Sequence, residues 1–108
     1  MNDFRMKNQR MCHELKIDPV YFRDLELGSK TFEIRKDDRP FRVNDMLLLQ
    51  SFDRETNEYT GSMVFASVTG IFGRKENEKE FVKEGYVILS IDLIKSRYVI
   101  DWFHNPPK

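Results

Sequence analysis

The sequence predicts an α+β domain, a small mixed β-barrel of about five strands with one helix between strands 1 and 2. Three observations lead there. Short apolar–polar alternations recur along the chain, and one segment carries a full set of helix start and stop signals. A glycine also interrupts the longest strand-like run, where a closing sheet needs a bend.

Taken in order, Met1 to Met11 is polar and aperiodic and reads as a flexible lead-in (1–11), ahead of a domain over 12–94. Cys12 to Ile17 alternates, with His13, Leu15 and Ile17 against Cys12, Glu14 and Lys16, as a first strand. Asp18 then suits an N-cap, Pro19 the first helical position and Gly28 a left-handed exit. Val20, Tyr21, Leu25 and Leu27, with Phe22 beside them, supply the helix's apolar positions. Thr31 to Lys36 alternates again: Phe32 and Ile34 are expected in the core, and Thr31, Glu33 and Arg35 on the opposite face.

Asp37 to Pro40 and Val43-Asn44-Asp45 read as turns. Met46 to Phe52, a nearly continuous apolar run, reads as a central strand. Asp53 to Gly61 is turn-like, and Ser62 to Phe72 is a long strand bent at Gly70. Gly73 to Gly85 is a charged loop with a helical turn around Glu78 to Val82, and Tyr86 to Leu93 is the last clear strand. The tail (95–108) offers Tyr98, Val99, Ile100, Trp102 and Phe103 to cover the barrel.

Bulk composition narrows the function. At 108 residues, 40% hydrophobic, the chain fits one domain with its own core and needs no staple. Cys12 is the only cysteine, which excludes an internal disulfide and a multi-cysteine metal site. His13 and His104 lack metal-ligand spacing, so no metal and no cofactor are expected. With no apolar leader and no stretch long enough to span a bilayer, the expectation is a cytoplasmic, monomeric protein with no membrane partner. Lys and Arg total 18, as do Asp and Glu, so global attraction to phosphate is absent. Locally, Lys30 to Arg42 is richer in cations and Glu76 to Glu84 richer in acid.

The segment Gly28-Ser29-Lys30-Thr31-Phe32-Glu33-Ile34-Arg35 resembles the G-x-K-x-x-E-x-R signature of the ASCH domain superfamily. His13 to Phe22, Val43-Asn44-Asp45-Met46-Leu47-Leu48 and Gly85 to Ile91 are similar, in order, to pieces of an uncharacterised ASCH-like branch of phages and Gram-positive bacteria. The resemblance spans residues 13 to 91 and implies a PUA-like barrel that binds RNA or a nucleotide. One ASCH branch hydrolyses the amide of acetylated cytidine with a lysine, a threonine three residues later and a distant glutamate. Here Lys30 and Thr31 match that branch, but Glu33 stands three after the lysine. Glu76, Glu78, Glu80 and Glu84 are the candidate distant acids.

The chemistry of these residues agrees with a binding role. Glu33 and Arg35 leave one face of a strand about 7 Å apart. A guanidinium there can clamp phosphate or a base edge, while the carboxylate orients it or accepts from a base amino group. The expected ligand-binding set is Lys30, Thr31, Glu33, Arg35, Lys36 and Arg39, with Lys30 also the candidate catalytic residue of an amidohydrolase or nuclease. The bland alternative is a solvated ion pair of little energetic weight. A third is a phage accessory module that meets a protein partner through its acidic loop. Cys12 is expected as a packed thiol, His13 as a packed or hydrogen-bonded strand residue, and Phe41 as part of the core.

Overall fold

The protein is described here by a computed structural model covering residues 3–6 and 10–94. In chain order its elements are β1 (Phe4–Arg5), β2 (Met11–Ile17), α1 (Pro19–Leu27), β3 (Phe32–Lys36), β4 (Met46–Asp53), β5 (Glu58–Phe72), α2 (Glu76–Lys79) and β6 (Tyr86–Ile94). The six strands form one sheet in the order β1-β2-β4-β5-β6-β3. β2 and β4 run parallel, and every other pairing is antiparallel.

The domain is thus a mixed-sheet α+β fold with six strands and two short helices among the described residues, against the five strands and single helix expected. Among the described residues no backbone ladder closes the sheet. The sixth strand lies in the segment read as a polar lead-in, where Phe4 and Arg5 pair with Cys12 and Met11. The second helix is the charged turn, placed at Glu76–Lys79. The apolar tail residues Tyr98, Val99, Ile100, Trp102 and Phe103 lie outside the described residues.

Local signals explain most elements. The Asp18 carboxylate accepts from the Val20 N–H at 3.0 Å and caps α1. Gly28, at φ 80°, ends it in the left-handed region, with its N–H bonded to the Asp24 and Leu25 carbonyls. α1 buries only Phe22 and Leu25, one turn apart, and leaves Val20, Tyr21 and Leu27 exposed. The apolar stripe is therefore narrower than its composition suggested.

β4 lies inside the sheet and is apolar toward both faces. Leu47 and Leu49 join Leu15, Ile17, Val68, Val87 and Leu89 in the main core, while Met46 and Leu48 pack with Cys12 and Phe65 on the other face. That double burial is why its run is continuous. β5 starts at Glu58, earlier than the polar stretch implied, because Asn57 takes the left-handed turn position at φ 58°. The pairing of β5 with β6 slips between Val68 and Gly70, the bend expected of that glycine. A Cβ at Gly70 would stand 2.7 Å from Ser90 Oγ.

Away from the sheet seam, Arg74 ties two loops together. Its Nε and Nη2 donate to the two Asp37 oxygens at 2.9 and 2.7 Å, and its Nη1 donates to the Phe41 carbonyl. The Arg74 hydrogen bonds hold the Asp37 carboxyl below its ordinary value, against an opposing effect of burial. A depressed carboxyl stabilises the fold above its unfolded pKa, and that contribution disappears as pH falls through the folded value. Because the pair is partly exposed, Asp37→Asn is expected to cost under about 1 kcal/mol at neutral pH. In urea melts, its difference from wild type should be full above about pH 4 and fade below it.

Candidate functional site

β3 ends the sheet, and its register decides which way its charges point. Glu33 pairs with Leu89 and Arg35 with Val87, both core residues, so the two charged side chains continue the core face of the sheet. Glu33 is 5% exposed, while Phe32 and Ile34 are 42% and 56% exposed. The expectation that Phe32 and Ile34 turn inward is overturned: the alternation is real and its sense is reversed. Opposite β3, across a gap in the hydrogen-bonded sheet, runs the C-terminal half of β2. Arg35 bridges the gap by donating from Nη2 to the Lys16 carbonyl at 2.6 Å.

A hollow of about 490 Å³ opens along this seam, lined by Lys16, Ile17, Asp18, Tyr21, Lys30, Phe32, Glu33, Ile34, Arg35 and Arg54. Glu33 is its electrostatic pivot. One carboxylate oxygen accepts from Lys30 Nζ at 2.5 Å, and the other lies 3.3 Å from Arg35 Nε. That second contact is an ion pair without hydrogen-bond geometry, so Arg35 Nε is buried with its N–H unsatisfied. Burial draws the Arg35 guanidinium below its ordinary range, Glu33 opposes this, and Arg39 and Arg54 add to the lowering. Neither Lys16 nor Arg54 has an ion-pair partner among the described residues. The seam therefore gathers more positive charge than its one buried carboxylate balances.

Of the residues expected at the site, Lys30, Glu33 and Arg35 converge. The others do not join them in this hollow. Thr31 is exposed in a separate depression beside the end of α1, and its carbonyl accepts from the Ile91 N–H. Lys36 is exposed and lines a side hollow with Asp38 and Arg39. Arg39 is nearly buried, and its Nη1 donates to Asp3 and to the Glu14 carbonyl. The Lys30 ammonium donates to Glu33 and to the Phe32 carbonyl, whereas a lysine nucleophile reacts as the free amine. Glu76, Glu78, Glu80 and Glu84 do not line the Lys30 hollow.

Sequence reasoning missed Lys16, Tyr21 and Arg54. Tyr21 sat among helix residues that read as core, and Arg54 lies in a turn with no local signal. Lys16 did fall on the polar side of its strand, but only the β2–β3 gap gives that position meaning.

Two further groups were singled out by sequence. His13 is fully buried, with Nδ1 2.7 Å from Asp3 Oδ2 and Nε2 2.9 Å from Asp45 Oδ2. Cys12 is buried, and its thiol is pushed up to about 12 by burial first, with Glu14, Asp3 and Asp45 adding. The native protein should resist alkylation at about pH 8 and react only on unfolding, as a thiol count with and without denaturant would show. No group of three or more His, Cys, Asp or Glu is placed to hold a metal among the described residues. No described helix is long and apolar enough to cross a membrane.

These features define a small open-sheet α+β domain with a charged cleft at its seam. Residues 12–91 match the family described as a domain of unknown function, DUF3850, and the chain belongs to that family. No curated protein matches the chain.

Proposed function

We propose that this protein is an ASCH-like, PUA-like module of the cytoplasm that binds RNA or a nucleotide in the β2–β3 cleft. One observation carries the proposal: β3 turns Glu33 and Arg35 to the core face and leaves Phe32 and Ile34 in water. Burying a charged pair while exposing large apolar side chains costs folding free energy. A partly satisfied guanidinium facing an open hollow is the group that a ligand phosphate or base edge would complete. Glu33 then orients Arg35 and remains available to accept from a base amino group. The G-x-K-x-x-E-x-R resemblance points to the same residues, and the approach of β3 to β2 through Arg35 agrees with a barrel closed by side chains.

Phosphate is held by charge, so affinity should fall with salt. An anisotropy titration of a short single-stranded RNA at several salt concentrations should give a negative log–log slope, about −0.7 for each phosphate that the cleft neutralises. A salt-independent constant would remove the phosphate contact, and absence of binding to any RNA or nucleotide would remove the function.

A further inference from the structure

Resting on the nucleic-acid reading of the cleft, we infer that the site takes single-stranded nucleic acid over a two-nucleotide footprint, with one base in each of two lobes and the linking phosphate between them. The seam hollow meets two neighbours; the side hollow of Lys36 and Arg39 borders it at Ile34, Arg35 and Arg54 but carries neither Lys16 nor an exposed tyrosine. The other, about 440 Å³, shares Lys16, Arg35 and Arg54 with the seam hollow and extends the cleft toward Tyr59, Gln50 and Glu14. The three shared residues are all cationic. They occupy the junction, where among the described residues Glu33, beside Arg35, is the one acid in ion-pair contact with any of them.

The two lobes are built alike. Each has a tyrosine that is 55% exposed, Tyr21 in the first and Tyr59 in the second. Each tyrosine has a lysine ammonium over its ring, with Lys30 Nζ 5.9 Å from the Tyr21 centroid and Lys16 Nζ 5.7 Å from that of Tyr59. Carboxylates line both lobes, Asp18 and Glu33 in the first and Glu14 beside the Gln50 amide in the second.

Aromatic, cation, aromatic is the order that a single strand requires along a groove, since its unpaired bases offer faces for stacking and its phosphate lies between them. A mononucleotide would fill one lobe and leave the other tyrosine unused. A duplex keeps its bases stacked on one another and offers neither ring a face.

Isothermal titration with uridine monophosphate, the dinucleotide uridylyl-uridine and a short blunt RNA duplex tests this. Uridylyl-uridine should bind at least about tenfold more tightly than the monophosphate, the weak end of what one stacked base contributes. The duplex should bind no better than the monophosphate. Tyr59→Ala should bring the dinucleotide-to-mononucleotide ratio to about one, and Tyr59→Phe should keep it. Equal affinities in the wild-type protein, a ratio unmoved by Tyr59→Ala, or a duplex that matches the dinucleotide would each overturn the inference. If both small ligands bind equally and both are lost on Arg35→Ala, the cleft survives and only the footprint fails. Binding of none of the three removes both.

Discussion

Arg35→Ala is expected to weaken binding of a short single-stranded RNA by roughly 10- to 100-fold, the range of one charge-assisted hydrogen bond. The fold should survive, because Arg35 is at a sheet edge and half-buried, and Glu33 keeps its bond to Lys30. Arg35→Lys should recover little. A lysine restores the charge but not the planar fork that reaches the Lys16 carbonyl and a ligand together. Circular dichroism separates lost binding from lost structure. A folded Arg35→Ala protein with unchanged affinity would mean that the guanidinium serves only to tie β3 to β2.

The largest effect on stability is expected from His13→Ala, at about 3 kcal/mol in urea unfolding. The imidazole is enclosed, meets the edge of Phe41 with ring centroids 4.8 Å apart, and joins Asp3 near the start of the chain to Asp45 in the turn before β4. Its removal leaves a hole against Phe41 and strips the nearly buried Asp45 carboxylate of one partner, leaving the Arg42 N–H. Asp3 would retain Arg39, so the start of the chain should loosen without the β2–β3 seam opening. Loss of amide protection at Phe4 and Arg5 would report this directly. A change under about 1 kcal/mol would show that the network is solvated in solution.

The punctuation of this fold was legible in its sequence, because it rests on backbone preferences that a few neighbouring residues set. Asp18, Pro19 and Gly28 bound α1, Asn44 takes the left-handed position of its turn, and the sheet slips beside Gly70. Facing was not legible. The period of two in β3 is visible, but period carries no sign: Phe32 and Ile34 look like core residues until Glu33 and Arg35 are seen opposite Leu89 and Val87. The contacts that fix the sign come from distant segments, chiefly the Lys16 carbonyl on β2. Tyr21 and Arg54 were hidden for the same reason, since each gains meaning only from its place on the seam. Likewise β1 escaped notice because two residues show no alternation, and its place depends on pairing with β2 and on Asp3 reaching His13.

The most direct test of the cleft is a two-dimensional amide spectrum of the labelled protein recorded as a short single-stranded RNA is added. The account predicts that the shifted resonances map to Lys16–Asp18, Glu33–Arg35 and Arg54, on both walls of the β2–β3 seam. Shifts confined to the Glu76–Lys79 loop, or to the exposed face of α1, would contradict it.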